Sequence, residues 1–180
     1  MMKEMRRKDR QLNAEDTMTL LEQGEYGILA TVCGDGTPYG VPVSYVCFNN
    51  CIYFHCAKNA GLKLENIRNR ADVCFTVVGK TELLPAKFST RYESAIVFGN
   101  ARLLEESEKR EPLMKLIEKY SPDFMEAGRK YVEKSASETD IVEISIEFMT
   151  GKGRKRQNVA FLCLFFGTFL TIIENFANFW

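Results

Sequence analysis

The sequence predicts a mainly β domain with helices attached: six antiparallel strands, linked by hairpins and closed into a barrel. Two turn signals carry most of this reading. Gly34-Asp35-Gly36-Thr37 supplies the left-handed backbone positions of a tight hairpin, and Asn49-Asn50 supplies a second. The third observation is alternation in "DIVEISIEFM", where Val142, Ile144, Ile146 and Phe148 fall on one side and Glu143, Ser145 and Glu147 on the other.

The elements follow in order. Asn13 caps a short helix over "AEDTMTLLEQ": its side chain can accept an orphan amide, Glu15 and Asp16 favour the positive end, and Gly24 stops it. "YGILATVC" reads as a buried strand. The next strand is expected over 39–48, "YGVPVSYVCF", and Pro42 marks it as an edge or a bulge because proline cannot donate to a ladder. "CIYFHC" is the third strand, followed by a loop and a helix over "LKLENIRN". "ADVCFTVVG" at 71–79 is the fourth. Residues 80–92 are expected to be irregular, a loop with Pro85 at its middle of the kind that covers a site. "SAIVFGNARLL" at 94–104 is the fifth strand. A helix over 105–120, with Leu113, Leu116, Ile117 and Tyr120 on one face, and another over "PDFMEAGRKYVEK" lead to the sixth.

Composition bounds the function. With 180 residues the chain is long enough for one core, and 24 Lys plus Arg balance 24 Asp plus Glu, so no global field attracts a polyanion and nucleic acid is not an expected partner. The six cysteines form no C-x-x-C pair and there is a single histidine, which fits reduced thiols in a cytoplasmic protein and argues against a zinc site. Two regions are expected: a folded domain over 1–156 and an atypical hydrophobic tail over 157–180. The uncharged run at 159–173, behind the basic "GKGRKR", is shorter than the roughly 20 residues a membrane span needs. It reads as an added packing segment or a translation past the natural end, with a tail anchor as the other reading.

The stretch "IYFHCAKNAGLKLENI" at 52–67 concentrates the chemistry. Alternation puts Ile52, Phe54 and Cys56 toward the interior and Tyr53 and His55 outward. After the strand come Lys58, Gly61 and Lys63 at a helix start. Lysines there are opposed by the helix dipole, whereas amides, a glycine and ammonium groups together suit a phosphate.

Taken with "MRRKDR", "GILATV", "DGTPYGVPVSYV" and "IVFGNARLL", this stretch resembles the pyridoxamine 5'-phosphate oxidase-like FMN-binding split barrels, within them the nitroimidazole-resistance-type branch, from Met5 to Arg156. The resemblance implies a six-stranded split β-barrel with flanking helices, acting as a homodimer with FMN between the subunits. It implies that the flavin ring lies along Val41, Pro42, Val43, Ser44 and Tyr45. Lys63 would be the main phosphate ligand with Lys58 in support, and His55 and Cys56 would lie beside the flavin. His55 would be the catalytic candidate, positioning a small molecule or delivering a proton. The family pattern His-x-Ala-x-x-Gly-x-Lys is one residue longer in "HCAKNAGLK". No arginine-rich clamp of the kind used for vitamin B6 oxidation is seen. The function expected is therefore an FMN-dependent oxidoreductase moving electrons from a reduced donor to a small acceptor such as a nitroaromatic. A non-catalytic flavin or haem carrier or sensor, with His55 as the imidazole ligand, is the alternative from another class, and a plain structural dimer is the third.

Overall fold

The computed structural model describes residues 4–154. Asn13 does cap the first helix, α1 (Ala14–Gln23): its side-chain oxygen accepts the Asp16 amide at 2.7 Å, and the Gly24 amide closes the other end on the Leu20 carbonyl. The hairpins also form where the turn residues ask for them. Gly36, at φ 89°, lies between β1 (Gly27–Val32) and β2 (Pro38–Val43), while Asn49 and Asn50, both left-handed, join β3 (Tyr45–Phe48) to β4 (Cys51–Ala57). Helix α2 (Leu62–Asn69) occupies the span its sequence suggested. The rest comprises β5 (Asp72–Leu84), β6 (Ser89–Leu103), α3 (Arg110–Tyr120), α4 (Met125–Ser135) and β7 (Thr139–Gly153), with short 3-10 turns before each of the last two helices.

All strands belong to one antiparallel sheet, in the order β2-β1-β5-β6-β7-β4-β3. It has seven strands rather than the expected six, and it does not close. The strand expected over 39–48 is two strands, broken at Ser44: β2 pairs with β1 and β3 pairs with β4, at opposite edges of the sheet. Because one residue joins those edges, the sheet must curl until they meet at a corner, yet among the described residues no ladder links them. Pro42 lies in the edge strand β2, where its missing N–H is harmless.

Two further expectations need correction. The segment over 80–92 is not an irregular loop: β5 and β6 continue into a long hairpin arm, turned by Pro85–Lys87 with Phe88 left-handed at φ 45°. The arm extends past the core, so it buries little and lacks the apolar alternation that would reveal it; Leu83 is 73% exposed and Phe88 99%. In β7 the alternation also breaks. The ladder to β6 steps from Phe98–Phe148 to Gly99–Ile146, which leaves Glu147 as an extra residue. Beyond that bulge the faces exchange, so Phe148 is 41% exposed and Met149 packs on the core.

The curled sheet encloses one apolar cluster built on Leu29, Tyr45, Phe54, Phe75, Val97 and Ile144. A second, smaller cluster lies outside, where Leu113 and Leu116 of α3 cover Val46, Tyr53 and Ile141. Helix α4 packs against α3 closely enough that a Cβ on Gly128 would fall 2.4 Å from Ile117. The hydrophobic segment expected over 157–180 lies outside the described residues. Among the described ones no helix is long and apolar enough to cross a membrane, and the five described cysteines are free thiols.

Candidate functional site

Strand β4 delivers its residues to both faces of the sheet. Ile52 and Phe54 enter the core; His55, opposite Ile141 in the ladder to β7, is exposed. Its imidazole has no hydrogen-bond partner among the described residues, and partial burial lowers its pKa from 6.5. The neutral ring therefore predominates at pH 7. Cys56 faces the other way: it is buried in the core, 3.7 Å from the Asp140 carbonyl, and burial raises its thiol pKa. Its thiol and the His55 imidazole are on opposite faces, so they do not line one surface as side chains.

Beyond Ala57 the chain turns through a loop fastened on both sides. The Lys58 amide donates to the Glu138 carbonyl at 3.2 Å, and the Lys58 ammonium donates to the Ser137 carbonyl at 2.6 Å. Asn59 is left-handed, at φ 52°. Its amide donates to Asp140 Oδ2 at 2.7 Å and its side-chain oxygen accepts from Arg68 of α2 at 2.8 Å. Gly61, at φ 90°, precedes α2, in a conformation that disfavours any side chain.

The amides of Leu62 and Lys63 find no backbone acceptor among the described residues, as the first amides of a helix do not. Lys63 folds back over Gly61, its Nζ 3.6 Å from where a Cβ would stand, and makes no ion pair or hydrogen bond with the described residues. A shallow cavity of about 470 Å³ opens there, lined by Asn59, Gly61, Leu62, Glu65, Arg68 and Asn69. Of the two lysines expected to bind phosphate, Lys63 has its charge available, while Lys58 has its ammonium on a carbonyl. The helix itself is anchored: Leu64 and Ile67 are buried, and the buried Asn66 donates to Thr31 of β1 at 3.0 Å.

The corner at 41–45 is built differently. Val41, Val43 and Tyr45 face the core, and Pro42 and Ser44 are exposed. Tyr45 is fully buried, edge-on to Phe75 at 4.9 Å, and its hydroxyl donates to the Leu21 carbonyl. Burial raises its pKa well above the usual tyrosine range. Its amide donates to the Tyr120 hydroxyl at 2.8 Å, which in turn donates to the Glu25 carbonyl at 2.7 Å. Lys119 stands 4.2 Å over the Tyr45 ring and donates to the carbonyls of Gly24 at 2.7 Å and Tyr45 at 3.0 Å. Sequence reading missed Lys119 and this use of Tyr120, because nothing local marks a helix C-terminus as a clamp on a strand 74 residues away.

Corner and histidine lie toward the same end of β4: Tyr45 opposes Phe54 as the last pair of the β3–β4 ladder, and His55 is the next residue of β4, paired with Ile141 of β7. The long outer face of β6 and β7 is apolar as well, with Ile96, Phe98 and Phe148 lining a cavity of about 440 Å³ beside Met5 and Lys152. Among the described residues no group of His, Cys, Asp and Glu side chains could hold a metal ion.

Residues 13–153 match the family model described as pyridoxamine 5'-phosphate oxidase. The fold resembles that of a protein assigned to 5-nitroimidazole antibiotic resistance from Bacteroides thetaiotaomicron, at TM-score 0.68 and 23% identity over 79% of this chain and 85% of that one. It also resembles the flavocytochrome Anf3 from Azotobacter vinelandii (0.73, 21% identity, 85% and 73% covered) and a FAD and heme binding protein from Mycobacterium smegmatis (0.72, 20% identity, 82% and 74% covered). No curated protein sequence matches the chain. The chain belongs to the pyridoxamine 5'-phosphate oxidase family.

Proposed function

We propose that this member of the pyridoxamine 5'-phosphate oxidase family binds FMN and acts as an oxidoreductase, passing electrons from a reduced donor to a small acceptor such as a nitroaromatic. One observation carries the reading: Lys63, which has no ion-pair or hydrogen-bond partner among the described residues, folds over a left-handed glycine at the start of α2, the helix that follows the strand carrying His55. Open amides, a backbone without a Cβ and an ammonium group fit a phosphate monoester. The Glu65 carboxylate on the rim opposes an anion, and Arg68 across the same cavity offsets it.

When bound, FMN supplies two-electron or hydride exchange between donor and acceptor. Lys63 and the amides of Leu62 and Lys63 hold the phosphate. Lys58 serves the loop rather than the ligand. The exposed Pro42 of β2 and Ser44 just after it support the ring, while Val41, Val43 and Tyr45 fix that corner to the core, and Cys56 supplies only backbone. His55, largely neutral at pH 7, donates a hydrogen bond that orients the acceptor, and its minor imidazolium form can yield a proton as the acceptor is reduced, returning to the neutral ring. The apolar face of β6 and β7 suits a second copy of the chain, which makes a homodimer the expected assembly, and the free thiols suit a cytoplasmic setting.

The absorption spectrum of the purified protein tests this. Flavin bands, or their appearance on titration with FMN, are expected, together with turnover of a nitroaromatic that falls in His55→Ala while FMN stays bound. A protein that remains colourless after FMN titration overturns the reading. The second reading, a haem-binding carrier or sensor, rests on His55 as an exposed imidazole without a hydrogen-bond partner among the described residues, and a Soret band would establish it instead.

A further inference from the structure

We infer that Asp140, backed by Lys109, is a positioning residue that sets the lengthened 57–61 loop so that Lys63 and the first amides of α2 meet a phosphate monoester. The inference rests on the flavin reading above and deepens it. The backbone between β4 and α2 turns at Asn59, which adopts φ 52°, a left-handed conformation that asparagine accepts more readily than most residues.

Asn59 is held there within its loop by the Ala60 amide on the Ala57 carbonyl at 3.3 Å, and from outside the loop as well. Its amide donates to Asp140 Oδ2 at 2.7 Å, across 81 residues of sequence, and Asp140 is only 7% exposed. A buried carboxylate needs a facing charge, and Lys109, 3% exposed, stands 3.7 Å from Oδ1 while also pairing with Glu106 at 2.9 Å. The carboxylate is thus held from below by Lys109 and spends its upper oxygen on one loop amide. Arg68 completes the hold from the other side, at 2.8 Å on the Asn59 side chain. Lys58, whose ammonium donates to Ser137, ties the loop to the same segment that leads into Asp140. Without the Asp140 acceptor the Asn59 amide loses its partner and the turn loses its anchor to β7, so Gly61 and Lys63 no longer present one surface.

FMN and riboflavin differ by the phosphate, and the ratio of their dissociation constants reports that group alone. Both are titrated against the wild-type full chain and Asp140→Ala. The wild type is expected to prefer FMN; Asp140→Ala should reduce that preference about tenfold while riboflavin affinity stays within about twofold. If FMN and riboflavin weaken equally, so that the ratio is unchanged, Asp140 is merely structural and the inference is overturned. Asn59→Val attacks the same turn from an exposed position and tests it should Asp140→Ala fail to fold. It carries the same expectation, and an unchanged ratio overturns the inference in the same way. A wild type that binds neither flavin overturns the flavin reading itself, an outcome distinct from a wild type that prefers FMN and a variant that keeps the preference.

Discussion

The corner at 41–45 and the loop at 57–63 are the two halves of the proposed cofactor site, and they are held by opposite means. The corner is part of the core: Tyr45 is buried against Phe75, and Lys119 and Tyr120 occupy its backbone groups. The loop is exposed and hangs on separate polar contacts from Asp140, Arg68, Glu138 and Ser137. Damage to the corner should therefore be read in stability, whereas damage to the loop should be read in ligand affinity with the fold intact.

The largest effect is expected at the corner. Tyr45→Ala removes a fully buried aromatic ring and its hydroxyl contact, and should lower unfolding free energy by about 3–5 kcal/mol in urea denaturation. A loss well below that would mean the corner is not part of the core. Lys119→Met should come next, at about 2 kcal/mol, because the carbonyls of Gly24 and Tyr45 each lose a charged donor. A fall in FMN affinity with stability preserved would break the comparison from the other direction.

Lys63→Glu should do the reverse. It removes no contact with the described residues, so its thermal midpoint should match the wild type within error. FMN binding should weaken at least about tenfold, equivalent to about 1.4 kcal/mol. FMN held as tightly as before would move the phosphate elsewhere.

The smallest effect concerns pH. The folded-state pKa of His55 is lowered from 6.5, so between that lower value and 6.5 the unfolded chain binds more protons, and stability rises with pH through this window. Acidification from about pH 7.5 to about pH 5 should thus cost the wild type more stability than it costs His55→Gln. Parallel urea midpoints for the two proteins would show that the ring is not desolvated in the fold.

Legibility in the sequence followed the same division. The outward direction of His55, the inward direction of Phe54, the bounds of α2 and the glycine ahead of it were readable, since each depends on residues a few positions apart. The contact of the Lys58 ammonium with the Ser137 carbonyl was not readable, because its partner lies 79 residues away. Cys56 was placed beside the flavin by the family resemblance, while strand alternation turns its thiol to the face opposite His55, as the structure has it.

The amino-acid sequence by itself determined the hairpins at Gly36 and Asn49-Asn50, the Asn13 cap and the family pattern around His55 and Lys63. A turn, a cap or an alternating face is a property of neighbouring φ and ψ angles and of residue types within one or two turns. Tertiary structure alone decided that the chain breaks at Ser44 and joins both edges of one sheet, that the bulge at Glu147 exposes Phe148, and that Asp140 meets the Asn59 amide and Lys119 the Tyr45 carbonyl. Each of those depends on which distant strand or helix supplies the partner, and local propensity is blind to a choice that only the packed sheet makes.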